Sequence, residues 1–200
     1  MALFNEADVR ARAQQDVTRN FSKTASEIIT EASLEAFNDL SYKTYDVFLS
    51  HSIKDAELIL GVKGLIEDLG YDVYIDWIDD PQLNRNEVSK DTANKLRDRM
   101  KNSKSLFYVT TENSDNSKWM PWECGYFDGI KEKVAIIPIK KSSFNNEYNG
   151  QEYLGLYPYV VKENSNNGKE MLWVHLSNSK YTSYENWIKT SNGKIQWKEV

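Results

Sequence analysis

The sequence is poor in the residues that make covalent or metal cross-links. Its 200 residues include one cysteine, Cys124, and two histidines, His51 and His175. A single cysteine forms no intramolecular disulfide, and so small a set of nitrogen and sulfur ligands disfavours a zinc site. Long apolar runs are lacking too. The longest, Val134-Ala135-Ile136-Ile137-Pro138-Ile139, falls far short of the about 20 residues that span a bilayer. Residues 1–20 carry charges throughout, with no apolar signal core. The expectation is a cytoplasmic protein that does not engage a membrane. A basic surplus is also missing. The net charge of -5 disfavours a general nucleic-acid binder, which needs a cationic stripe to meet phosphates.

What is present is ample for one globular domain. Hydrophobic residues make up 40% of the chain and aromatic residues 12%, enough apolar surface to offset the entropy of ordering. Residues 1–42 read as a helical N-terminal extension, with helix formers over Ala7–Gln15 and Thr24–Phe37 and neither Gly nor Pro in those stretches. From Tyr45 the texture alternates. Short β-rich runs occur at 45–50, 71–76, 105–110 and 133–139. Between them lie helical patterns: Leu58, Val62, Leu65 and Leu69 before Gly70; Val88, Thr92, Leu96 and Met100 after a possible cap at Asn86; and a helix from Pro121 to about Ile130. Ser52 and Asp55 have the spacing of a helix-capping box.

Strands alternating with helices imply crossover units, hence an α/β fold with a mainly parallel sheet covered on both faces. After Ile139 the pattern loosens. Residues 144–168 read as loop, 171–176 as a fifth strand and 181–189 as a closing helix with Tyr184, Trp187 and Ile188 turned inward. The domain is expected to occupy residues 43–200, with 140–200 as an elaborated C-terminal segment.

In such sheets ligands bind at the carboxyl ends of the strands. That rule selects Ser50-His51-Ser52, the segment Asp76-Trp77-Ile78-Asp79-Asp80, and the region from Thr110 to Glu123. The glycine fingerprints of dinucleotide-binding folds and P-loops are missing, and so is the G-x-S-x-G elbow of α/β-hydrolases. What remains is Trp119-x-x-Trp122-Glu123-x-x-Tyr126, whose named positions share one side of a helix. A carboxylate beside aromatic walls acts strongly on a developing cation. A glycosidic bond to a cationic leaving group breaks through an oxocarbenium-like state, which one carboxylate can stabilise without a metal. The same spacing also fits a solvated surface glutamate flanked by core aromatics. Asp76, Asp79 and Asp80 read more readily as a solvated acidic loop than as a metal cluster, and Cys124 as a packed residue rather than a nucleophile.

Two motifs carry a family resemblance. Tyr45-Asp46-Val47-Phe48-Leu49-Ser50-His51-Ser52 followed by Asp55 resembles the opening of TIR (Toll/interleukin-1 receptor) domains. Ser117-Lys118-Trp119-Met120-Pro121-Trp122-Glu123 resembles their S-x-W-x-x-x-E motif, and 70–76 resembles the strand leading into their BB loop. The resemblance spans about residues 45–139.

It implies a flavodoxin-like three-layer sandwich with a central five-stranded sheet. For the enzymatic branch it implies NAD⁺ glycohydrolase or ADP-ribosyl cyclase activity, with NAD⁺ as substrate and no resident cofactor or metal. By position Glu123 is the expected catalytic residue. Ser50, His51 and Ser52 are expected to line the pocket, Asp76 and Trp77 to open the BB loop, and Trp119 and Trp122 to flank the carboxylate. The chain is most similar to bacterial stand-alone TIR proteins of antiphage defence, of Thoeris-like type. That similarity implies self-association through TIR surfaces and an effector that senses an ADP-ribose-derived product. Two other readings are a non-catalytic scaffold, with contacts from Pro81, Leu83 and Arg85, and a nucleoside 2-deoxyribosyltransferase-like enzyme, which shares the layered architecture.

Overall fold

The computed structural model describes residues 3–19, 43–80, 83, 89–111, 114, 117–140, 148 and 152–199. The N-terminal helix formers produce a short strand, β1 (Phe4–Asn5), and helix α1 (Glu6–Arg19). The second helical stretch, Thr24–Phe37, lies outside the described residues, as do Pro81, Arg85, Asn86 and Val88. The crossover units follow as β2 (Tyr45–Ser50), α2 (Ala56–Glu67), β3 (Val73–Tyr74), the one-turn α3 (Asp76–Asp79), α4 (Lys90–Lys101), β4 (Ser103–Thr110), α5 (Trp119–Lys131) and β5 (Val134–Lys140).

The sheet runs β3-β2-β4-β5, all parallel. The β5 edge is then shared. Ile136 pairs in parallel with Tyr159 of β6 (Tyr159–Asn164), and Ile139 and Lys140 pair in parallel with Phe4 and Asn5 of β1. Beyond β6 the sheet turns antiparallel through β7 (Glu170–His175), β8 (Lys180–Ser183) and β9 (Lys198–Glu199).

The expected α/β sandwich is present, but the sheet has nine strands among the described residues rather than five. The added strands have physical reasons. Residues 159–164 alternate too little and stand too close to Asn- and Gly-rich sequence to signal a strand, so 144–168 reads as loop. Pairing with β5 on one side and β7 on the other supplies the order that local sequence does not. The expected helix at 181–189 begins late because 180–183 extend β7 first. Ser183 then caps α6 (Tyr184–Lys189), its hydroxyl accepting from Asn186 N–H at 3.3 Å. Tyr184 and Trp187 are buried as expected.

Two apolar clusters sandwich the sheet. On one face Val47, Leu49, Phe107, Val109, Ala135 and Ile137 pack with Val9 of α1, Ile59 and Val62 of α2, and Trp187 of α6. On the other, Phe48, Leu106, Tyr108 and Ile136 pack with Leu96 and Met100 of α4 and with Met120, Cys124 and Phe127 of α5. Strand residues therefore bury side chains on both faces, which is why these runs are continuous rather than alternating.

Two helix starts differ from the expected caps. Ser52 makes no side-chain cap bond. Asp55 is instead buried and accepts from the Thr111 hydroxyl at 2.5 Å, tying the start of α2 to the end of β4. Helix α4 is capped by Ser89, whose hydroxyl accepts from Thr92 N–H at 3.1 Å. Among the described residues no helix is long and apolar enough to cross a membrane.

Candidate active site

Three elements meet at the carboxyl end of β2. The strand ends at Ser50, which is fully buried, and His51 follows at 1% exposure. Helix α5 brings Glu123 against them. The Ser50 hydroxyl donates to Glu123 Oε2 at 2.6 Å, within the about 2.5–2.7 Å of hydroxyl bonds to ionised carboxylates. Glu123 has no solvent exposure, which removes the reading of a solvated surface glutamate. A carboxylate in this setting is held in a fixed direction, and its field is screened far less than it would be in water.

Ser117 explains why the helix presents Glu123 here. Its hydroxyl accepts from Met120 N–H at 3.2 Å. This caps the first turn of α5, and Pro121 sits in that turn where a missing N–H costs nothing. The first serine of the S-x-W-x-x-x-E motif is thus a helix cap, and the glutamate lies on the turns that the cap fixes. A serine three residues ahead of Met120, just before Trp-Met-Pro, is a legible cap signal, although spacing alone did not assign it that role.

His51 adjoins Ser50 and belongs to a second group. Its Nδ1 lies 2.7 Å from the Leu49 carbonyl, which only accepts, so Nδ1 carries a proton. Its Nε2 faces the indole N–H of Trp77. These two contacts hold the orientation of the imidazole ring. Asp76 Oδ1 stands 3.4 Å from the same Nε2. The expected loop residues Asp76 and Trp77 are therefore the first two residues of α3, folded onto His51. Ser52, at 8% exposure, begins the short turn ahead of α2.

The tryptophans of α5 do not enclose Glu123 symmetrically. Trp119 is buried in the core and meets Trp122 edge-on, with centroids 5.4 Å apart. Trp122 stacks on Tyr126 at 5.7 Å, and the Arg97 guanidinium of α4 lies over both rings. Those contacts pack Trp122 against α4. Cys124 is buried, and burial pushes its thiol up to about 11, which suits the packed role expected for it.

Asp79 and Asp80 do not form a solvated acidic loop. Both are buried. Asp79 accepts from the Tyr45 hydroxyl at 3.1 Å and from Ile75 N–H at 2.8 Å, and burial holds its carboxyl above the usual range. Asp80 receives a two-point bond from Arg99, at 2.7 and 2.9 Å, and the Tyr74 hydroxyl at 2.9 Å. These carboxylates pin α3 beneath the site. Arg99, three residues after Leu96 on the inward side of α4, is the clamp that sequence reasoning missed. Among the described residues no group of three or more His, Cys, Asp and Glu is placed to hold a metal ion.

No family profile matches the chain. Individual relatives do. A Bacillus cereus (strain MSX-D12) protein named "Probable 3' cyclic ADP-D-ribose synthase ThsB'" is 50% identical over 190 residues, covering 94% of this chain and 98% of that protein. A Cytobacillus dafuensis protein provisionally named cyclic ADP-D-ribose synthase TIR2 is 34% identical over 134 residues, covering 60% of this chain and 35% of that protein. Sharing half its residues with ThsB' along nearly the whole of both chains, and carrying the two TIR motifs on the elements just described, the chain belongs to the Thoeris-like TIR-domain family that includes ThsB'.

Proposed function

We propose that the protein cleaves the bond between nicotinamide and ribose in NAD⁺ and closes the remaining ADP-ribose into a cyclic product. The observation that carries this reading is the buried 2.6 Å bond between Ser50 and Glu123 at the carboxyl end of the parallel sheet. The names of the relatives, both cyclic ADP-D-ribose synthases, favour ring closure over plain hydrolysis.

The chemistry asks little of the protein. As the C1′–N bond breaks, its electron pair passes to the pyridinium nitrogen, and nicotinamide leaves as a neutral ring without protonation. The sugar carbon becomes an oxocarbenium, and the fixed negative charge of Glu123 stabilises it. A hydroxyl of the same molecule then forms the new bond to that carbon and releases its proton. Ser50 keeps the carboxylate aimed, while His51 and Trp77 build the adjoining wall with Asp76 behind them. Trp119 and Trp122 support α5. Neither a metal nor a resident cofactor is required. In this reading the protein works in antiphage defence as an assembly of several copies, and a separate effector senses the cyclic product.

The test is mass spectrometry of the products formed from NAD⁺ by the purified protein and by Glu123→Gln. Free nicotinamide with a cyclic ADP-ribose, both lost in the variant, supports the reading. Linear ADP-ribose as sole product would replace cyclisation by hydrolysis. Turnover of deoxynucleosides with NAD⁺ untouched would point to the deoxyribosyltransferase alternative. Self-association without turnover, under conditions that assemble the protein, would leave the scaffold reading.

A further inference from the structure

The C-terminal antiparallel strands carry a recess that the Ser50–Glu123 site does not use. Register sets Tyr159, His175, Tyr181 and Lys198 side by side across β6, β7, β8 and β9. Trp173, two residues before His175, shares that face. The opposite face carries Leu172 and Val174 and is packed with Tyr184 and Trp187 of α6.

On the first face the rings form a ladder. Tyr159 stacks on His175 at 5.3 Å and His175 on Tyr181 at 5.4 Å, with Trp173 edge-on to Tyr181 at 5.5 Å. Beside the ladder lies a cleft of about 620 Å³, closed at its rim by the 164–167 turn and Asn178. That volume is within the about 300–1,000 Å³ of small-molecule sites.

Most of the residues that line the cleft carry polar side chains. His175 lines the cleft at 6% exposure, and its buried Nδ1 has no side-chain hydrogen-bond partner among the described residues, with the Ser177 main chain as the ring's polar neighbour. A buried ring nitrogen left in this way is costly unless something else supplies its partner. Glu163 and the asparagines of the turn offer acceptors and donors beside it. Lys198 is the one cation among the described residues lining the cleft, and its ammonium lies over the Trp173 ring at 5.6 Å.

We propose that this cleft is a second ligand site that takes a nucleoside monophosphate, its base stacked on Trp173, its edge bonded to His175 and its phosphate paired with Lys198. A flat base matches the ring surface, because stacking on aromatic side chains is available to every nucleobase. The asparagine amides and His175 then read its edge. The Lys198 ammonium, resting on Trp173 without ligand, would move onto the phosphate when the base takes its place.

Calorimetric titration of the full chain with AMP, GMP, CMP and UMP, each alone, tests this. At least one is expected to bind with 1:1 stoichiometry and a Kd below about 1 mM. Its nucleoside should bind about five-fold or more weakly, and inorganic phosphate alone should not saturate. Lys198→Met, at an exposed position, should weaken the nucleotide about five-fold without affecting the nucleoside. Trp173→Leu should weaken both about ten-fold, and Ser50→Ala should leave both within two-fold. The proposal is overturned if none of the four nucleotides binds below about 1 mM, or if Lys198→Met leaves nucleotide affinity unchanged. It is equally overturned if Ser50→Ala abolishes binding, which would put the nucleotide at the other site.

Discussion

Ser50 and Glu123 stand 73 positions apart in sequence, and the Ser50 hydroxyl donates to the Glu123 carboxylate at 2.6 Å. Truncating either partner should separate the two properties this bond provides. Glu123→Gln keeps an acceptor for Ser50 and nearly the same volume, so the melting temperature should stay within a few degrees. On the proposed mechanism nicotinamide release from NAD⁺ should fall about 100-fold or more, because the charge assigned to steady the oxocarbenium is gone. Ser50→Ala keeps the charge but removes one of its donors. It should cost about 1–3 kcal/mol of stability and slow turnover about ten-fold. Equal activity in Glu123→Gln and wild type, followed by release of free nicotinamide, would remove Glu123 from the chemistry.

The Asp80–Arg99 pair sets a second expectation. Both side chains are buried, and the guanidinium makes two bonds to the carboxylate while the Tyr74 hydroxyl makes a third. Arg99→Met leaves that carboxylate inside the protein with its main counter-charge removed. Such changes cost about 3–5 kcal/mol, readable in a urea titration. Asp80→Asn combined with Arg99→Met removes both charges and should recover part of the loss. Because Asp80 immediately follows α3, the single variant should also loosen Trp77 and lower turnover more than the double variant does.

The parallel half of the fold was legible because each strand is an apolar run and each helix carries a stripe ending at a signal such as Gly70. Glu123 stands out as a candidate from its spacing to Trp119 and Trp122 and from the family motif. Its burial was not legible, because helical spacing cannot tell whether position 123 or position 122 faces the sheet. The structure gives the sheet side to Glu123 and the α4 side to Trp122, where Arg97 covers the ring. The burial of Asp79 and Asp80 is hidden from the sequence for a related reason. Consecutive carboxylates after a strand resemble a wet loop until Tyr45, Tyr74 and Arg99, all distant in sequence, supply their hydrogen bonds. Strand β6 was invisible because its order comes from β5 and β7 rather than from its own residues.

Helix α1 lies so close to α2 that glycine is required between them. A Cβ on Gly61 would fall 2.0 Å from the Val9 carbonyl oxygen, and one on Gly64 would fall 2.8 Å from the Arg12 guanidinium carbon. Backbone cannot yield as a flexible side chain can. Gly61→Ala should therefore displace α1, with Gly64→Ala milder, despite the higher helix propensity of alanine. The contact is reinforced by Arg12, whose guanidinium donates to both Asp68 oxygens at 2.7 and 3.0 Å. Limited proteolysis should cut Gly61→Ala within α1 at least about ten times faster than wild type, on the scale of a local opening made easier by roughly 1.4 kcal/mol. Equal protection in the two proteins would mean that α1 does not depend on this close approach.

His175 sets a pH dependence whose direction follows from its surroundings. Burial lowers its pKa below the ordinary 6.5, opposed by the Ser177 main chain and by Glu163. The unfolded chain therefore binds a proton at a higher pH than the folded protein does. Between 6.5 and the lower folded value the unfolded state holds more protons, so stability is complete above 6.5 and is lost as pH falls through that window. An NMR titration of the ring signals should place the His175 midpoint below 6.5, with His175→Gln assigning the resonance. The same variant should flatten the decline of unfolding free energy on the acid side of 6.5. A midpoint above 6.5 would mean that Glu163 and the Ser177 main chain outweigh burial, and the pH dependence of stability would then take the opposite sign.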